Sequence, residues 1–201
     1  MPRAHVARAL AGALALALLA ACGQAADSAA VPTLAKLDGW RPGVDPAEIP
    51  GSAGFAVLEL AYDEADARAL WDATVPDGLP DASGSPAVAG IYGDLADLDL
   101  TTQVLGVWSS GQSGSCPGWL GSVDTSDGEV AVVEVQDLQG GDGCTDDYNP
   151  YSQVVVLGRD QVPAAESLPV AGRLTFATLI DGGLRPTGGS ELRAQITAFA
   201  G

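Results

Sequence analysis

Val123-Asp124-Thr125-Ser126-Asp127-Gly128-Glu129-Val130-Ala131-Val132-Val133-Glu134-Val135 is the stretch that decides the fold. The Asp-Gly pair between two apolar arms is a hairpin signal, and Val130 to Val135, rich in β-branched residues and of strand length, leaves the turn as a buried strand. On its N-terminal side, Thr102 to Trp108 reads as a strand, and a shorter one is expected at Ala87 to Tyr92. On its C-terminal side, Gln153 to Leu157, Leu174 to Ile180 and Leu192 to Phe199 read the same way, the last two joined across a Gly-rich turn.

One helix interrupts this pattern. Phe55 to Tyr62 is an apolar run read as a buried strand, after which Asp63 can cap a helical turn with Glu64 and Asp66 at its positive end. Ala67, Leu70, Trp71 and Thr74 then fall on one side at helical spacing, and Pro76 and Gly78 stop the helix. No internal repeat is evident. The expected fold class is mostly β (α+β): an antiparallel sheet or a β-sandwich with one packed helix and one disulfide.

The disulfide expectation follows from the hairpin. Cys116 and Cys144 each sit in a glycine-rich loop at a strand end, and the hairpin between them brings its outer ends together. Bridging a loop of that length stabilises by about 3.5 kcal/mol on a chain-entropy account. A redox role is disfavoured, since the cysteines lack Cys-x-x-Cys spacing and have no basic residue nearby in sequence. Trp108, Trp119, Tyr148 and Tyr151 lie close to the two loops and form the candidate binding rim.

The start of the chain has a different character. Arg3 and Arg8 precede an apolar run from Ala9 to Ala21, too short to span a bilayer, which ends in Leu19-Ala20-Ala21-Cys22. This stretch resembles the type II signal peptides of bacterial lipoproteins, with Leu19 to Cys22 as the lipobox. The resemblance implies cleavage before Cys22, a diacylglyceryl thioether on that cysteine, palmitate-type acylation, and residence on the extracytoplasmic face of the cell membrane. Two acyl chains suffice for stable anchoring where one is marginal. Residues 1–21 are thus expected as signal peptide, 22–38 as a flexible tether, and 39–201 as a single β-rich extracytoplasmic domain.

Removing the leader leaves Cys22 blocked by lipid and only Cys116 and Cys144 free to pair, which suits an oxidising compartment. It also removes Arg3 and Arg8 from the nine basic residues while all 26 acidic ones remain. Nucleic acid is therefore no partner, because phosphate binding needs clustered Lys and Arg. The resemblance implies that the membrane is contacted through the lipid anchor on Cys22, and the ligand is expected to be an envelope protein or glycan. The composition, with abundant Ala and Gly and the single lysine Lys36, fits a high-GC bacterium. The segment Gln103 to Leu157 resembles a module of uncharacterised secreted actinobacterial proteins, carrying a Ser-Cys-Pro loop, a valine-rich hairpin and a second Cys before Asn-Pro. Its strand order is also similar to small bacterial protease-inhibitor and protease-stabilising domains, whose Gly-Gly-Tyr loop motif is missing here.

The residue inventory restricts the chemistry. The only histidine, His5, belongs to the leader, so no Ser-His-Asp triad, Cys-His pair or histidine-ligated metal can be built after it. Lys36 is placed at the end of the tether, without the burial that a nucleophilic lysine needs. Asp94, Asp97 and Asp99, or Asp142, Asp146 and Asp147, match no EF-hand spacing. No catalytic residue, cofactor or metal is assigned. The expectation is a non-enzymatic, lipid-anchored binding domain; the alternatives are an acid-dependent hydrolase of envelope glycans, which needs two facing carboxylates, and an inhibitor or stabiliser of an envelope protease.

Overall fold

A computed structural model describes residues 31–41, 44, 56–138, 143–187 and 192–199. The expected leader, Cys22, Phe55, and Asp142 lie outside the described residues. Among the described residues the fold is mostly β, with one α-helix and one curled mixed sheet.

The strands are β1 (Thr33–Asp38), β2 (Val57–Ala61), β3 (Gly90–Ile91), β4 (Gln103–Gln112), β5 (Gly118–Asp124), β6 (Ala131–Asp137), β7 (Asn149–Gly158), β8 (Val170–Ile180), β9 (Gly183–Thr187) and β10 (Arg193–Ala198); the helix α1 is Glu64–Thr74. The sheet runs β3-β1-β7-β4-β2-β10-β8-β6-β5, with β9 paired to β8. Pairing is antiparallel except between β2 and β10 and between β6 and β8. A single sheet thus replaces the sandwich alternative, and the two parallel pairings join strands far apart in sequence.

Local chemistry accounts for the elements. The hairpin turn closes with Gly128 at φ 78°, a conformation easy only for glycine, and its N–H donates to Thr125 O at 3.3 Å. In α1, Asp63 accepts from the Asp66 N–H at 2.9 Å, and Glu64 and Asp66 occupy the first turn beside the positive end of the dipole. The helix stops before Pro76, which can neither donate nor fit a continuing turn.

Each sheet face is covered. The sheet curls around an inner face lined by Leu58 and Leu60 of β2, Val104 and Trp108 of β4, Leu120 of β5, Val132 of β6, Val155 and Leu157 of β7, Leu174 of β8 and Ile196 of β10. Full burial of each such aliphatic side chain stabilises by about 1.5–3 kcal/mol. On the outer face, Ala67 and Leu70 of α1 cover Ala61, Leu105, Val107 and Val154.

Two expectations about the start of the domain are corrected. Thr33–Asp38 is no tether: it is strand β1, held between β3 and β7. Lys36 within it is 1% exposed.

Candidate functional site

The end of the sheet where β1, β4, β5 and β7 meet carries the polar and aromatic groups. Here the curl brings β5 against β1, β4 and β7 without a backbone ladder. Three side chains cross the gap instead. Lys36 Nζ donates to Gly118 O at 2.6 Å, Gln112 Oε1 accepts from Gly118 N–H at 2.9 Å, and Gln153 Oε1 accepts from Leu120 N–H at 2.7 Å. Backbone groups that an edge strand would leave unpaired in the interior are thereby satisfied.

Period two explains who faces inward. Trp108, Ser110 and Gln112 alternate along β4, Tyr151 and Gln153 along β7, and Val132 and Glu134 along β6. Lys36 pairs with Gln153 across β1 and β7, on the same inner side. Its ammonium lies 4.6 Å from the centre of the Tyr151 ring and also donates to Gln112 Oε1 at 2.9 Å and Ala87 O at 3.4 Å. Burial still dominates and lowers the Lys36 pKa to about 8, against the opposing pull of Glu134 and Asp38.

Glu134 is fully buried. Ser110 Oγ donates to its Oε2 at 2.6 Å, while Oε1 has no hydrogen-bond partner among the described residues. Burial pushes its pKa up to about 7, offset in part by Ser110, Tyr151, Trp108 and Lys36. Trp108 Nε1 donates to the Tyr151 hydroxyl at 3.0 Å, and Tyr151, buried beside Glu134, is pushed well above its ordinary pKa.

Outside this chamber the two loops are fastened together. Cys116 and Cys144 form a disulfide with S–S 2.09 Å and Cα–Cα 5.5 Å. Asp147 accepts from Gly114 N–H at 3.1 Å, from Asn149 Nδ2 at 2.8 Å and from Thr145 Oγ1, which together lower its pKa to about 2. Tyr148 then lies flat on β4, its ring filling the space above Gly111, where a Cβ would stand 1.8 Å from Cε2. Trp40 meets that ring edge-on, with centroids 6.3 Å apart, and its Nε1 donates to Ser110 O at 2.7 Å. Next to Trp40 a groove of about 280 Å³ runs between Asp38 to Arg41 and the C-terminal end of α1, Asp72 to Pro76. Arg41 in its wall is paired with Glu59 at 2.6 Å.

The four aromatics of the expected rim therefore separate. Trp108 and Tyr151 are fully buried and Trp119 is 5% exposed, whereas Tyr148 is 49% exposed. Strand alternation is the reason, since it turns Trp108 and Tyr151 to the inner face. The surface aromatic pair is Tyr148 with Trp40.

Lys36, Gln112, Ser110 and Glu134 were not singled out from sequence as a group. Counting by twos from Trp108 reaches Ser110 and Gln112, and from Val132 reaches Glu134; nothing local signals that Lys36 joins them. Three of the aspartates considered for calcium accept hydrogen bonds instead: Asp94 from Ala96 N–H at 2.9 Å, Asp99 from Thr101 and Thr102, and Asp147 from Gly114 N–H at 3.1 Å. The groups that act on the Glu134 carboxyl are Ser110, Tyr151, Trp108 and Lys36, with no second carboxylate among them. No protein family, curated protein or solved structure matches this chain.

Proposed function

We propose that this protein is a lipid-anchored, extracytoplasmic binding domain, non-enzymatic, that engages an envelope protein or glycan through Tyr148, Trp40 and the adjoining groove. The observation that carries the reading is the fixed, half-exposed Tyr148 ring. Large aromatic side chains with few rotatable bonds contribute contact area at low entropic cost, and here the ring is already ordered by Gly111, Trp40 and the Asp147 network. A disulfide-pinned loop on a rigid sheet is a common platform for such contacts. The anchor on Cys22 rests on the lipobox resemblance.

The reading is tested on the full chain in its membrane. Crosslinked envelopes are compared for the unaltered protein, Tyr148→Ala together with Trp40→Ala, and Leu184→Ala at an exposed site on β9. A partner retained by Leu184→Ala and lost in the double variant is the expected result. Equal capture by all three overturns the assignment of this surface. Cys22→Ser is expected to release the protein from membranes, and retention would refute the anchor.

A further inference from the structure

The chamber beneath Tyr148 contains an arrangement that the binding role does not use: a buried amine and a buried carboxyl beside a partly buried carboxamide. Lys36 Nζ stands 2.9 Å from Gln112 Oε1, and that same oxygen accepts from the Gly118 backbone N–H at 2.9 Å. The Glu134 Oε1 atom and the Gln112 Cβ lie 3.1 Å and 3.5 Å from the place where a Gly118 Cβ would stand, so the missing side chain opens a space shared by both groups. Glu134 Oε1, fully buried, has no hydrogen-bond partner among the described residues. An unpaired buried carboxyl oxygen costs free energy, and this one faces a neighbourhood holding an amine and an amide.

The geometry points to an autocatalytic isopeptide bond between Lys36 Nζ and Gln112 Cδ, formed inside the folded domain with Glu134 as the proton carrier. The Lys36 ammonium and the Glu134 carboxylate act on one another by charge without a direct hydrogen bond, so the step begins when the two side chains close on one another and the ammonium's proton passes to the carboxylate, leaving a neutral amine and a neutral acid. The amine lone pair then attacks Gln112 Cδ, and the new Nζ–Cδ bond places negative charge on Oε1. The Gly118 N–H already aims at that oxygen, as an oxyanion donor does, at a hydrogen-bond length. Collapse breaks the Cδ–Nε2 bond. One proton leaves Nζ and one reaches Nε2 through the Glu134 carboxyl, and ammonia departs. A primary amine and a primary carboxamide become a secondary amide and ammonia, with no oxidant, reductant or cofactor.

The environment supplies what the step needs. Desolvation lowers the proton affinity of Lys36 and raises that of Glu134, so the neutral pair is accessible near neutral pH. Holding the two reacting groups in one fixed geometry replaces a bimolecular encounter, an effect equivalent to very high local concentration. Gln112 is only partly buried, which gives ammonia a way out. The bond would tie β1 to β4 across β7, which separates them in the sheet. It stands independently of the binding role and of the lipid anchor.

Peptide mapping of the folded full chain tests this, after reduction and alkylation of the disulfide. Lys36 is the sole lysine, so trypsin should fail to cut there, and a branched peptide should join the Lys36 segment to the Gln112 segment with the loss of one ammonia. Gln112→Ala and the isosteric Glu134→Gln are each expected to abolish the branched peptide and restore cleavage after Lys36, with circular dichroism and the intact Cys116–Cys144 bond reporting the fold. Linear peptides with a free Lys36 in the folded unaltered protein would overturn the proposal. So would a branch to Glu134 with loss of water, or a branch that persists in Glu134→Gln.

Discussion

The inner face of the curled sheet has two ends built on opposite principles. Around Leu58, Val132, Leu174 and Ile196 it is packed by aliphatic side chains, which need only shape and volume. Around Lys36, Ser110, Glu134 and Gln153 it is equally buried but held by directed hydrogen bonds. The difference teaches that burial alone does not define a core. The aliphatic end resists unfolding by excluding water, while the polar end resists it only as long as each donor finds its acceptor.

Trp108 belongs to both ends, packing among the aliphatics and donating to Tyr151. Trp108→Ala should therefore do the most damage, about 3–5 kcal/mol in urea unfolding, combining a large cavity with a lost indole donor beside Tyr151. A loss under 1 kcal/mol would mean that the two ends are not joined through this ring. The disulfide fastens the polar end from outside. Cys116→Ser with Cys144→Ser should cost about 3.5 kcal/mol for a cysteine separation of 28 residues. An unchanged urea midpoint would show that the Asp147 network suffices by itself.

The two ends should also answer differently to pH. Unfolded Glu134 releases its proton near 4.5, whereas folded it keeps the proton to about 7. Between those values the unfolded state binds fewer protons, so stability falls as pH rises, by up to about 1.4 kcal/mol per unit, and levels off above about 7. A free Lys36 amine does the reverse. Folded it loses its proton near 8 and unfolded near 10.5, so the unfolded state binds more protons in that window and stability recovers as pH rises. Asp38 and Glu134 bear on Lys36, and Lys36, Tyr151 and Ser110 on Glu134. If Lys36 is bonded to Gln112 the alkaline recovery is absent, and Gln112→Ala restores it. Replacing Glu134 by Gln should flatten the acid limb. A profile that ignores both substitutions would erase the contrast.

The smallest effect is expected at the surface. Gly111→Ala drives a methyl into the Tyr148 ring and should displace it, at about 1–3 kcal/mol or less where the loop yields. Partner capture should fall more than stability does. A ring that stays in place, read from tyrosine resonances, would dissociate the aromatic edge from its glycine seat.

The aliphatic end was legible in the sequence and the polar end was not. Valine-rich runs and the Asp127-Gly128 turn mark β6 and its hairpin, and helical spacing with Asp63 at the cap marks α1. Such signals are local. Lys36 was misplaced because Thr33-Leu34-Ala35-Lys36-Leu37-Asp38 has no clean alternation, and a register shift between Thr33 and Ala35 interrupts its pairing with β7. Glu134 was hidden by its valine neighbours, which mark the strand and say nothing of which face a lone acid takes. The parallel pairings of β2 with β10 and β6 with β8 depend on contacts far apart in the chain, and Leu184-Arg185-Pro186 of β9 carries no strand pattern at all. Tyr148 was named, but its exposure became visible only once Trp108 and Tyr151 were seen to turn inward.

Strand order also sets a timetable. β10 follows every other strand of the described residues, yet it lies in the middle of the sheet, hydrogen-bonded to β2 on one side and β8 on the other. Without it, β2 and β8 each present an open edge, and the two parts of the sheet meet at the β5 end, through the Lys36, Gln112 and Gln153 side chains. A chain emerging from a ribosome or a translocation pore cannot close its interior until Arg193–Ala198 is out, so β2 and β8 keep an unpaired edge until that segment arrives, and long-range closure of this kind is slow.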